Sequence, residues 1–228
     1  MASTSAPSLG IESGTRFGYR SGPFWNLKPK VLVEAESKVS VGPGLHLFVA
    51  PNGAGKTTLL RSLAGLTQPI SGSLAIDGCV HYFSDELRMD PELKPKALFR
   101  SVLSSKALEH AFQLSDSLKL SLNTPISKLS RGNRQKTILI LAESRLQHAD
   151  RSVLLMDEPL SGLDAETREQ IVDLWAKSST RVVRFVIMHE LESVHDADTL
   201  FTIRSGTLRH ATTRTGSSWM DTYHSMQR

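Results

Sequence analysis

The sequence predicts an α/β fold, with a mostly parallel sheet, an antiparallel β flank and a small inserted helical lobe. Three observations predict it. An apolar strand-like run, Leu45 to Val49, passes through a glycine-bearing loop directly into a helix-forming segment. From Ser130 onward, apolar strand-like runs alternate with helical segments, the pattern of a parallel sheet covered by helices. Between Ser84 and Ser127 the apolar spacing is helical instead (Ala97, Leu98, Val102, Leu103, then Leu108, Phe112 and Leu114), punctuated by Pro91, Pro95 and Pro125.

Residues 1–14 are Ser, Ala, Pro, Gly and Thr with little to bury, and are expected to be a loose tail. Thr15 to Arg20, Val31 to Ala35 and Lys38 to Val41 are short strand-like pieces broken by Ser21-Gly22-Pro23 and stopped by Gly42-Pro43-Gly44; they supply the antiparallel flank. A helix is expected over Thr57 to Leu66, closed by Gly65 and the Gln68-Pro69 break. Ser73 to Asp77 and Val80 to Phe83 read as strands around an Asp77-Gly78 turn. The helical lobe spans about 84–130, followed by a helix over Arg134 to Gln147. Val153 to Met156 is a short apolar run of the kind buried on both faces. Asp164 is placed to cap a helix over Ala165 to Lys177, whose Ile171, Leu174 and Trp175 share one side. Arg181 to Met188 is β-branched and apolar, a further core strand, and Ser205-Gly206 separates Thr199 to Arg204 from Thr207 to His210 as a hairpin. One domain is expected over 15–213, with 214–228 a second loose tail.

The chain has 228 residues, the size of one ordinary domain, and its 39% hydrophobic and 22% charged residues exclude wholesale disorder and an integral membrane protein. No run approaches the roughly 20 apolar residues of a spanning helix, so a soluble chain is expected. The first residues, MASTSAPSLG, have neither the basic start nor the apolar stretch of a signal peptide. A single cysteine, Cys79, forbids an internal disulfide and suits a reducing compartment. The net charge of +4 and pI of about 9.3 are mild, and no basic run interleaves with aromatics, so no nucleic-acid partner is expected.

The loop after Val49 carries the chemistry. Ala50 to Thr57, APNGAGKT, fits G-x-x-x-x-G-K-[ST] except that Ala50 stands in the first glycine's place. In such a loop the backbone N–H groups of Asn52, Gly53, Ala54 and Gly55 turn inward, and the following helix, opened by Lys56, Thr57 and Thr58, presents its positive end to a polyphosphate. Lys56 adds a point charge and the Thr57 hydroxyl a Mg²⁺ ligand. Further on, Asp157 and Glu158 form a carboxylate pair at the C-terminal end of a buried strand, where open α/β sheets bind ligands. Asp157 would hold Mg²⁺ through water, and Glu158 would polarise an attacking water as general base.

These residues resemble the nucleotide-binding subunit of an ABC transporter, over nearly the whole chain and in the family's order. Leu129-Ser130-Arg131-Gly132-Asn133 is similar to the signature usually written LSGGQ, Asp157-Glu158 to Walker B, Ser161-Gly162-Leu163-Asp164 to the D-loop, and His189 to the switch histidine. The resemblance implies a P-loop NTPase of ABC type that binds ATP and Mg²⁺. It implies head-to-tail dimers, homo- or heteromeric, in which Ser130 and Gly132 contact the γ-phosphate held by the partner, while His189 reaches it from its own side. It also implies a separate polytopic membrane permease, docked at the helical lobe and the loop around Ser84 to Leu87, and a place on the cytoplasmic face of the cell membrane. Three positions depart from the pattern. Asp85, beside Glu86, takes the place of the Q-loop glutamine and could act through the metal; Arg131 and Asn133 replace Gly and Gln of the signature; and the adenine-stacking aromatic is Trp25 by spacing, with Tyr19 and Phe24 as alternatives. The short lobe, the compact length and the LSRG-like signature lean toward a small exporter-type system. A soluble ABC-type ATPase, as in cofactor assembly, is the alternative; the signature and D-loop argue against a small-molecule kinase.

Overall fold

The computed structural model describes residues 6–84, 87–146, 151–178, 181–189, 191, 194, 196–216 and 218–228. Five strands lead to the phosphate loop: β1 (Ser8–Ile11), β2 (Thr15–Ser21), β3 (Lys28–Ala35), β4 (Val39–Val41) and β5 (Gly44–Phe48). Helix α1 (Lys56–Leu63) follows, then β6 (Leu74–Asp77) and β7 (Cys79–Ser84). The lobe contains α2 (Pro95–Val102), α3 (Ser105–Ser117) and a 3₁₀ turn over Ile126–Lys128. The second half is α4 (Arg131–Leu146), β8 (Ser152–Asp157), α5 (Ala165–Lys177), β9 (Val182–Ile187), β10 (Thr199–Arg204), β11 (Thr207–Ala211) and α6 (Trp219–Gln227).

Eight strands form the main sheet in the order β2-β3-β11-β10-β5-β9-β8-β7. From β10 to β7 every neighbouring pair is parallel, and the pairs β2–β3 and β10–β11 are antiparallel. The β10–β11 hairpin turns through Ser205 and Gly206, both at positive φ (50° and 80°), the geometry whose twist matches a two-residue hairpin. A separate antiparallel sheet, β4-β1-β6, makes the flank.

Alternate residues of the central strands point to opposite cores. Leu154 and Met156 of β8 join α4, α5 and α6 in one cluster around Trp175. Val153 and Leu155 join α1 and the three-stranded flank in the other, around Phe48 and Phe185. The strands β5, β8 and β9 are accordingly buried at every position, as a sheet covered on both sides requires.

Two sequence expectations are corrected. Residues 8–11, assigned to a loose tail, form β1, because Leu9 and Ile11 bury completely between β4 and β6. Residues 219–227, assigned to the second tail, form α6: Ser218 and Asp221 make a capping box, and Trp219 is buried. The strands expected on either side of Asp77-Gly78 are present, and the chain crosses between sheets there: β6 pairs with β1 in the small sheet while β7 runs parallel to β8 in the large one. The lobe's helices, the Asp164 cap on α5 and the β10–β11 hairpin fall where the sequence puts them.

Candidate active site

The parallel strands bring the reactive residues to one edge. Phe48, Ile187, Asp157 and Ser84 are register partners across β5, β9, β8 and β7, so whatever follows each strand emerges along one line. After Phe48 comes the phosphate loop, after Asp157 comes Glu158, and after Ile187 come Met188 and His189. The C-terminal edge of a parallel sheet is where such folds bind ligands.

Gly55 caps α1 at φ 103°, and a Cβ there would stand 2.8 Å from Val33 Cγ2 of β3, so conformation and space both require glycine. Gly53 is at φ 77°, a left-handed conformation that favours glycine, and a Cβ there would meet nothing within 4 Å. Ala50 is buried, and its carbonyl accepts from Lys56 Nζ at 2.8 Å, with Pro51 O at 3.3 Å. Burial draws the Lys56 amine below its ordinary pKa, and the Glu158 and Asp157 carboxylates oppose that shift.

Thr57 Oγ1 donates to Asp157 Oδ2 at 2.7 Å, joining the loop's helix to the end of β8 across 100 residues. The next residue leaves the strand abruptly. Glu158 stands at φ 51°, rare for a residue with a side chain, and holds its turn by donating its N–H to Ile187 O and accepting from Ser161 N, both at 3.1 Å. Its Oε1 lies 2.6 Å from His189 Nε2. A pocket of about 130 Å³ opens beside the pair, lined by Ser161, Gly162, Arg168 and Met188.

The structure thus brings together Lys56, Thr57, Asp157, Glu158 and His189. Asn52, Gly53, Ala54 and Thr58 line the loop and the first turn of α1 beside them. Ser130 and Gly132 sit at the start of α4: Ser130 Oγ accepts from Asn133 N at 3.2 Å, and Gly132 backs onto Gly162, which lines the pocket beside Glu158 and His189. Trp25 stands 86% exposed in the β2–β3 connection, beside a 92% exposed Phe24, and Tyr19 lies under Lys30 Nζ at 5.4 Å. Asp85 lies outside the described residues. Arg131 departs from the signature and Gln135, within Arg134-Gln135-Lys136, fits the residues that follow it; the structure puts Arg131 Nη2 3.1 Å from Ser161 Oγ and Gln135 Nε2 2.9 Å from Pro159 O. No spacing signal could have paired them, since each contact spans more than 20 residues.

Residues 37–161 match the family described as ABC transporter, more than half of the chain. The chain belongs to the ABC transporter family. Among relatives, this ABC chain is 34% identical over 184 residues to the taurine import ATP-binding protein TauB of Pseudomonas savastanoi pv. phaseolicola, covering 70% of this chain and 67% of that one. It is 30% identical over 131 residues to the cytochrome c biogenesis ATP-binding export protein CcmA of Zymomonas mobilis, covering 56% and 58%. Other relatives are longer: this chain spans 11% of one and 31% of another. The fold is also that of the ATP-binding cassette MJ0796, solved as a dimer in a post-hydrolysis state with ADP and Pi, with a TM-score of 0.69 at 18% identity over 91% of this chain and 99% of that one.

Proposed function

We propose that this chain is an ATP-hydrolysing subunit that powers a membrane transporter. One observation carries the reading: the Glu158–His189 pair at 2.6 Å stands beside the Thr57–Asp157 bridge at 2.7 Å on the same sheet edge. The phosphate loop would cradle ATP with its inward N–H groups and Lys56, and Glu158 would take a proton from the attacking water, with His189 fixing the carboxylate and reaching the γ-phosphate. The Thr57 hydroxyl and the Asp157 carboxylate are hard oxygen donors of the kind Mg²⁺ takes from a protein beside substrate phosphates. Bound there, the ion would neutralise charge on the β- and γ-phosphates. Asp85 is retained as a metal contact, and Trp25, or else Tyr19 or Phe24, as the base-stacking aromatic.

The proposal includes a head-to-tail dimer in which Ser130 and Gly132 act on the partner's nucleotide. It includes a separate polytopic permease at the cytoplasmic face of the cell membrane. A groove of about 470 Å³ between β7 and α2, lined by Tyr82, Leu87, Met89, Leu98 and Val102 among others, supports a partner at the lobe. No helix among the described residues is long and apolar enough to cross a membrane, which fits a spanning partner on another chain or segment. An export direction rests on the LSRG-like signature, the short lobe and the compact length; relatives bear both import and export names.

The Glu158→Gln chain tests it. Phosphate release from Mg-ATP should fall by about 10²–10⁴-fold, the usual worth of a positioned base, while ATP binding persists and drives the chain to twice its monomer mass. Hydrolysis as fast as the parent's would remove Glu158 from the role. Capture of the chain from detergent-extracted membranes with only soluble partners would replace transport by a soluble ATPase.

A further inference from the structure

α4 and the turn after β8 meet along a seam whose Arg131, Gln135 and Ser161 have no part in the chemistry above. Arg131 Nη2 donates to Ser161 Oγ at 3.1 Å, and its side chain lies across Gly162, whose φ is 77°: a Cβ there would meet Arg131 Cγ, Cδ and Nε, each at 3.4 Å. A Cβ on Gly132 would stand 2.9 Å from the Gly162 carbonyl oxygen. One turn along, buried Gln135 donates its Nε2 to Pro159 O at 2.9 Å. Pro159, Ser161 and Gly162 closely follow Glu158, and Ser161 N closes the turn on Glu158 O at 3.1 Å. Because Glu158 occupies a sparsely populated backbone conformation, at φ 51°, the direction of its carboxylate depends on whatever holds this turn.

We propose that Arg131 is a positioning residue that sets Glu158 through Ser161, tying the loop that opens α4 to the hydrolytic carboxylate of the same chain. The inference rests on the hydrolytic role proposed for Glu158. The two ends of the seam differ in kind. Gln135 is a buried, fixed anchor, whereas Arg131 is exposed and has five N–H donors, of which the Ser161 bond uses one. Its remaining donors match phosphate oxygens in geometry and charge.

The test uses the full chain and four variants: Arg131→Ala, Arg131→Lys, Ser161→Ala and the Arg131→Ala/Ser161→Ala double. Arg131→Ala should lower kcat roughly tenfold, inside the ~100-fold that a misplacement of about 1 Å can cost, with KM within about twofold and the thermal midpoint unchanged. Ser161→Ala should match it, the double should be no worse than either single, and Arg131→Lys should recover part of the rate. A raised KM at unchanged kcat would make Arg131 a nucleotide contact instead, and additive losses in the double would separate it from Ser161; either overturns the proposal. The His189 imidazole resonances report the Glu158 contact without turnover. Arg131→Ala and Ser161→Ala should shift them alike, and resonances that stay put would overturn the seam even if the parent hydrolyses nothing, an outcome that would count separately against the proposed function.

Discussion

Asp157 and Glu158 are neighbours that do different things because the backbone changes direction between them. Asp157 ends β8 in a fully extended, buried strand and faces Thr57; Glu158, at φ 51°, swings its carboxylate to His189. The strain of such a conformation is of order 1–3 kcal/mol, which the bonds to Ile187 O and from Ser161 N offset. His46 shows a second residue-scale effect. It is 2% exposed in β5, with Nε2 2.8 Å from Gly42 O and Nδ1 buried without a hydrogen bond. Burial lowers its pKa from 6.5, with the Gly42 bond and the Asp198 charge acting the other way, and burial likewise lowers His81, His110 and His210. The folded chain then binds fewer protons than the unfolded one below about pH 6.5, so stability is complete above that value and is lost as the pH falls. Thermal midpoints measured from pH 7.5 to about 5 should drop on the acid side, and His46→Gln should flatten part of that drop. An equal slope in the variant would remove His46 from the effect.

Helix α4 does two jobs along its length. Its first turn forms the seam with the Glu158 turn, and its last turns carry Glu143 into the core. There Arg184 Nη2 of β9 donates to Glu143 Oε2 at 2.9 Å, Trp175 Nε1 of α5 donates to Oε1 at 2.8 Å, and Arg184 Nη1 reaches Ser178 O at 3.1 Å. The two charges are 2% and 3% exposed, so three elements are locked by one ion pair and its hydrogen bonds. Removing one partner leaves the other charged and buried. Arg184→Met should therefore cost about 3–5 kcal/mol in urea denaturation. Arg184→Met with Glu143→Leu should recover much of that, short of the roughly 1–3 kcal/mol of an indole N–H left without its acceptor. If the single and double variants were equally destabilised, the pair would not be the lock.

At the scale of the whole molecule, the sheet is a platform, covered by a core on each face, that aligns four strand ends. α6 belongs to that construction. Trp219 is 3% exposed against the cluster containing Leu200, and Gln227 Nε2 donates to Thr202 Oγ1 at 2.6 Å, clamping the helix along β10. Trp219→Ala should cost about 3–5 kcal/mol of stability, checked by the same denaturation, while the Mg-ATP hydrolysis rate of the folded fraction changes little. A loss below about 1 kcal/mol would mean that α6 is not part of the core.

Signals confined to a few residues were legible. Asp164 ahead of an amphipathic run marks the α5 cap and Ser205-Gly206 between β-formers marks the hairpin, because capping and turn geometry are decided by neighbours in the chain; APNGAGKT and Asp157-Glu158 are legible as a phosphate-loop pattern and a carboxylate pair at a strand end, whereas the role expected of His189 comes only with the family resemblance. α6 was also legible in principle: Ser218 three residues before Asp221, then Trp219, Met220, Tyr223 and Met226 on helical spacing, masked by the surrounding Ser and Thr. Tertiary structure alone decided the rest. It sent β6 and β7 to different sheets, bonded Thr57 to Asp157, set Arg131 on Ser161 and buried Arg184 against Glu143. Those choices depend on which distant surfaces bury one another and which loops can close between them, and neither is written in the spacing of adjacent residues.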